Sequence, residues 1–216
     1  MSQQAASPKV DKREAILQAT LEVMAEFGFE NAPMSLISKR SKASPGIIYH
    51  YFASKDDLVE AVYNRIYSKS LQAFETVDDP QAPLPLRYQS LWLTIYHYCF
   101  EHPLEVAFLD QYENSPSARP PKNALPVENM SFEQFSDHIA QPDVYARLSL
   151  EEKALAGLVG ELRNQNRIND LPQVAFFEFS VYVPRRLARQ AATSPLKLAE
   201  KDLIAIAQSC WNAVAR

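Results

Sequence analysis

The chain has 216 residues, room for one large domain or two small ones with a sizeable core, and carries 4 Gly against 15 Pro. So few glycines leave little material for tight hairpins or phosphate-cradling loops, which points to an all-α fold and against β-sandwiches, P-loops and dinucleotide folds. With 47% hydrophobic and 22% charged residues the composition is that of a globular protein, and a formal net charge of −4 excludes a surface coated in cations.

Residues 1–9 read as a flexible, polar tail without the apolar core of a signal peptide. From Lys12 to Phe27, Ile16, Ala19, Val23 and Phe27 recur at helical steps, widened by Leu17, Leu21 and Met24, and Gly28 supplies a left-handed stop. A short second helix is expected over 33–42, with Pro33 in its first turn and Met34, Ile37 and Ser41 inward. Ser44-Pro45-Gly46 is a helix start, with Ser as cap and Pro at the first helical position, for a brief third helix ending near Phe52. Ser54 caps a fourth, Asp57 standing where a capping box has Glu, and Leu58, Val62, Ile66 and Phe74 continue it. Three short helices joined by tight turns and followed by a long one match a helix-turn-helix unit leaning on a strut.

The prolines of 78–85 break the chain. Helices are expected over 86–101, closed by His102-Pro103, and over 104–112. The stretch 113–129, with four prolines at 116, 120, 121 and 126, reads as a long loop. Ser131 and Ser149 each open a capping-box pattern, the second starting a helix that runs to about Asn164. Val174–Val183 is strand-like by propensity, but Val174, Phe177, Val181 and Ala188 fit a helical face, and helix is the reading taken. Leu203, Ile206, Cys210 and Val214 mark a last amphipathic helix. The apolar stretches near 91–100 and 174–183 fall far short of the ~18 residues of a membrane span. Cys99 and Cys210 match no metal-ligand spacing and read as reduced thiols of a cytoplasmic protein that needs no metal or cofactor.

Charge is unevenly placed. Residues 1–70 hold nine Lys or Arg and eight Asp or Glu, net +1, so the remainder is −5. Between 31 and 55 there are four cations, Lys39, Arg40, Lys42 and Lys55, and no acid. Such a face can direct an anionic partner, although a chance gap in the acids gives the same count. A helix presenting its N-terminal residues to the major groove needs small residues there and hydrogen-bonding side chains along one side. Ser44 and Gly46 allow close approach, and Pro45 offers an apolar face to a thymine methyl. Tyr49 and His50 point away from Ile48 and Phe52, while Tyr51 either joins them or packs on the fourth helix. Lys55 and the tyrosine hydroxyls suit phosphate, and Ser35, Lys39 and the N-terminal Lys9, Lys12 and Arg13 can clamp the backbone.

Over roughly residues 10–65 the sequence resembles the TetR family of bacterial transcriptional regulators. The likeness is carried by Gly28, Ile37, the Ser44-x-Gly46 turn, Tyr49-x-Tyr51-Phe52, and Ser54-Lys55 with Leu58. It departs at Ser41-Lys42-Ala43, where the family usually has Ala-Gly-Val, and at Ile47, where Thr is common. Lys42 replaces a turn glycine, so the bend between the two helices is open to a different geometry. The resemblance implies a DNA-binding helix-turn-helix domain at 10–56, with its motif near 33–52, and a helical effector-binding and dimerisation domain at 57–216. It further implies a repressor, a homodimer on a palindromic operator, and release by a small molecule. An effector site of apolar or aromatic preference would draw on Trp92, Tyr96, Phe100, Phe108, Tyr112, Phe132, Phe135 and Phe176, which otherwise serve as core. A dimer interface on the last two long helices would use Phe177, Val181, Arg185, Leu203, Cys210 and Trp211. Two other classes compete. An enzyme would rest on His97, Cys99, Glu101 and His102, but no His-Glu-x-x-His and no nucleophile motif accompany them, and histidines at a helix end explain them better. An architectural DNA-binding factor would use the same fold without a ligand.

Overall fold

Asp11 starts the first helix: its carboxylate accepts a hydrogen bond from the Arg13 N–H at 2.9 Å, and α1 follows over Lys12–Phe27. The structure is a computed structural model that describes residues 11–29, 31–113, 150–169, 173–194 and 198–216. Ile16, Leu17, Ala19, Leu21, Val23 and Met24 are buried along α1 as the periodicity requires. Phe27, expected in the same stripe, is 42% exposed. After it Gly28, with a positive φ of 79°, turns the chain, and the half-buried Phe29 packs against the core, its ring 5.0 Å from that of Phe108.

The second helix, α2, spans Met34–Ser41 and buries Ile37. It ends at Lys42, which holds the left-handed conformation (φ 53°, ψ 31°) that the turn demands and returns its N–H to the Ser38 carbonyl. The bend thus keeps glycine's geometry without glycine, at a steric cost of about 1 kcal/mol. The Ser44 hydroxyl accepts from the Ile47 N–H, Pro45 fills the first turn, and α3 runs over Pro45–Tyr51. Ser54 caps α4, Lys55–Val77, through the Asp57 N–H at 3.0 Å.

Two compact units make up the chain. The first holds the residues up to Ile66 together with a segment beginning at Leu104. That segment carries most of α6, Pro103–Glu113, which follows α5, Leu84–Glu101. Its core joins Ile16, Leu17, Met24, Ile37, Ile48, Leu58 and Val62 with Phe108 of α6.

The second unit takes Tyr67–Pro103 and the later chain. Around α5 pack α7, Leu150–Asn164, then α9, Val183–Thr193, and α10, Glu200–Val214. Between α7 and α9 lie α8, Gln173–Phe177, and a five-residue π-helical turn, Glu178–Tyr182. Propensity alone favoured a strand here; the structure has helix, with a local cause for its irregularity. Pro184 has no N–H to give, and Val183 bonds five residues back to Glu178. The Phe179 carbonyl is thereby passed over, and Trp92 Nε1 donates to it from α5 at 3.1 Å. Burial in this unit is matched by pairing. Arg87, 3% exposed, meets Asp78 through Nε at 2.9 Å and Glu161 at 2.6 Å, and the Asp78 contact leads in holding the guanidinium firmly protonated. Tyr88 is fully buried with its hydroxyl 3.1 Å from Ser180 Oγ, and burial pushes the phenol well above its ordinary range. Asn169 Nδ2 closes the end of α10 by donating to the Ala213 carbonyl at 2.8 Å. Among the described residues the helices are joined by turns and short irregular segments, and the β-structure is one isolated bridge, Ile168 with Ala215. The expected loop at 113–129 and the capping patterns at Ser131 and Ser149 lie outside the described residues, except for Glu113 at the end of α6; the helix that Ser149 was expected to open is α7.

Candidate nucleic-acid interface

A seven-residue helix has two sides to spend, and α3 divides them cleanly. Ile48 and Phe52 are buried at 1% and 5%. Ser44, Pro45, Gly46, Tyr49, His50 and Tyr51 are all exposed, with Tyr49 at 51% and Tyr51 at 44%. Neither tyrosine is absorbed into the packing, so the choice the sequence left open for Tyr51 falls on the exposed side; its ring has the His50 ring edge-on at 5.5 Å. Gly46 has no internal reason to be glycine. Its φ lies in the ordinary range and a Cβ built there meets nothing within 4 Å, although glycine near the start of a helix weakens it relative to alanine. The backbone at that point is therefore bare on its outer side.

The cations sort into two groups. Arg13 lies over the Phe52 ring, 5.5 Å from its centroid. Arg40 pairs with Glu26, and Arg65 with Glu14 and Gln18. Lys55, expected to reach phosphate, donates from Nζ to the Phe29 carbonyl at 2.6 Å and is half-buried. Lys12, Lys39 and Lys42 are exposed, and no ion pair joins them to another of the described residues. Ser35 is likewise exposed on α2, and Lys9 lies outside the described residues. Exposed hydroxyls, an imidazole and free ammonium groups beside an uncovered helix N-terminus are the donors that phosphate and base edges accept from. Lys42 in its left-handed turn was the least legible of these, since its exposure follows from the bend and not from any periodicity.

The second unit holds the other expected groups. On α5 the rings of Trp92, Tyr96 and Phe100 stack nearly parallel, at centroid spacings of 6.4 Å and 6.1 Å. Phe176 is buried beside Phe177. Phe108 and Tyr112 do not share a unit with these rings: α6 spends its apolar side on the first unit's core, where both contact Phe29. Phe132 and Phe135 lie outside the described residues. Of the residues expected at a dimer interface, Phe177, Val181, Arg185, Leu203 and Cys210 are buried within the single chain, and Trp211 is half-buried with its ring 5.4 Å from Tyr88. The outward side carries Phe179, Ala205, Ile206 and Ser209, which with Cys210 line an open cleft of about 290 Å³. Cys210 and Cys99 are free thiols, and burial raises the Cys210 pKa, keeping it protonated. His97 faces Glu200 at 3.5 Å, and no group of three potential metal ligands occurs among the described residues. No helix of the described residues is long and apolar enough to cross a membrane.

Comparisons with known proteins agree with this geometry. Residues 16–62 match the family described as bacterial regulatory proteins, tetR family. An uncharacterised HTH-type transcriptional regulator of Haemophilus influenzae is 30% identical over 142 residues, 65% of this chain and 74% of that protein. Among solved structures, a TetR family transcription regulator from Marinobacter aquaeolei superposes with a TM-score of 0.73 at 20% identity, over 94% of this chain and 95% of the other. A TetR-family transcriptional regulator from Haemophilus influenzae gives 0.69 at 22% identity, covering 96% and 98%. These matches are to transcription regulators and not to enzymes.

Proposed function

The chain belongs to the TetR family of bacterial regulatory proteins, and from that premise we propose that it is a repressor that binds a palindromic operator as a homodimer and is released by a small effector. The observation that carries the reading is the outer side of α3: two exposed tyrosines and a histidine beside a glycine that the fold itself does not require. In this reading Tyr49 and His50 approach base edges while Gly46 lets the backbone close in. Pro45 meets a thymine methyl, and Ser35, Lys39, Ser44, Lys42 and Tyr51 hold the phosphates. Family regulators act as dimers. Here the partner surface would use the outward sides of α9 and α10, since the inward sides are spent on the protomer's own core. The α5 aromatic stack favours a planar apolar effector. To release DNA the effector must bind the DNA-incompetent dimer better than the competent one, or it shifts nothing.

Fluorescence anisotropy of the purified protein on a duplex from upstream of its own gene, with excess random-sequence competitor at two salt concentrations, tests the reading. Saturable binding that survives the competitor and weakens steeply with salt is expected. Binding that the competitor abolishes for every duplex would defeat it.

A further inference from the structure

We propose that Lys55 is a positioning residue for DNA recognition: its ammonium ties the two ends of the helix-turn-helix together and so sets how α3 is presented. The inference rests on the DNA-binding reading above and concerns a residue whose sequence context suggested phosphate.

Three observations carry it. The first is the bond itself, Lys55 Nζ to the Phe29 carbonyl at 2.6 Å across 26 residues. Everything between those partners is the reading head: α2, the left-handed turn at Lys42, α3, and the turn into α4. The second is that both anchors are fixed. Phe29 is held by its ring, 5.0 Å from Phe108 and 6.2 Å from Tyr112, and Lys55 stands one residue past the Ser54 cap. The third is electrostatic. A cation at the first position of α4 faces the positive end of that helix's dipole, an unfavourable place. The Phe29 carbonyl, beyond the end of α1 and outside any helix, supplies the acceptor that makes the placement tolerable. Phosphate duty then falls to the cations without an ion partner among the described residues, Lys39 and Lys42 foremost.

The two roles leave different marks. A phosphate contact contributes about one counterion to the salt slope and weakens all duplexes alike, whereas a positioning contact selectively weakens a matched site. The test compares Lys55→Met, Lys55→Arg and, as the phosphate reference, Lys39→Ala. Each is titrated on the upstream duplex and on a random duplex of equal length at several salt concentrations, with thermal unfolding alongside. For Lys55→Met the expected result is a loss of at least about tenfold on the upstream duplex, with the random-duplex affinity and the salt slope both unchanged. Lys55→Arg, which keeps a donor, restores binding, and Lys39→Ala shows the shallower slope. Equal loss on both duplexes with a shallower slope for Lys55→Met would overturn the proposal in favour of direct phosphate contact. Unchanged affinity with a lower melting temperature would reduce the bond to a structural one. A DNA-free readout separates failure here from failure of the DNA-binding reading. Hydrogen exchange of the free protein should show faster exchange of the α3 amides in Lys55→Met with α1 unaffected, and equal protection in both proteins would refute the tie.

Discussion

The two units use their aromatic residues in opposite ways. In the first, a helix of seven residues displays Tyr49 and Tyr51 to solvent, each more than two-fifths exposed. In the second, Tyr88, Trp92 and Tyr96 are at most 4% exposed, and the polar tips of Tyr88 and Trp92 each find a partner inside. A buried aromatic with a satisfied tip is stabilising; an exposed one adds little to the packing. One unit presents, the other encloses, and substitutions should separate the two.

The largest effect belongs to the enclosing unit. Trp92→Ala removes a fully buried ring and leaves the Phe179 carbonyl without its donor, so a loss of about 3–5 kcal/mol is expected in urea unfolding. Tyr49→Ala should reverse the pattern, with unfolding unchanged within about 0.5 kcal/mol and operator affinity down by about tenfold in anisotropy, or 1.4 kcal/mol. A comparable loss of stability would show that Tyr49 belongs to the packing after all. Gly46→Ala sharpens the contrast, because the added methyl meets nothing in the free protein. Stability should rise by up to about 1 kcal/mol while DNA binding falls, two measurements moving in opposite directions. Lys42→Gly should relieve the left-handed strain and raise the urea midpoint by the equivalent of about 1 kcal/mol; an unchanged midpoint would mean the lysine sits there without cost. The smallest effect is in pH. The Tyr88 pKa is raised by burial, so the unfolded chain releases that proton first, and stability is complete below about pH 10 and falls above it. Tyr88→Phe should flatten that alkaline limb in melting curves taken from pH 8 to 11 or so.

Local chemistry was readable wherever a single residue dictates it. The caps at Ser44 and Ser54, the proline at the start of α3 and the stop at Gly28 all fall where their residue types require. So does the exposure of Tyr49 and His50, which follows from three or four positions of periodicity. What escaped was everything set by partners distant in sequence. Phe27 and Phe29 look alike in the sequence, yet Phe27 is exposed while Phe29, past the turn at Gly28, packs against the core. That α6 completes the first unit is written in Phe108 and Tyr112, whose partner lies some eighty residues upstream. The bond from Lys55 to the Phe29 carbonyl, across 26 residues, has no signal in the sequence around either partner. The π-helical turn needed both Pro184 and a donor from another helix.

The tryptophans have a practical consequence. The chain has 2, Trp92 and Trp211, and both belong to the enclosing unit. Emission excited at the red edge of the protein band therefore reports on that unit alone, while the DNA-reading unit is silent. Following denaturation by emission and by far-ultraviolet circular dichroism would reveal whether the two units melt in one step or two, without a label on either. An effector that stacks against α5 would quench or shift the same signal, giving a direct titration free of DNA.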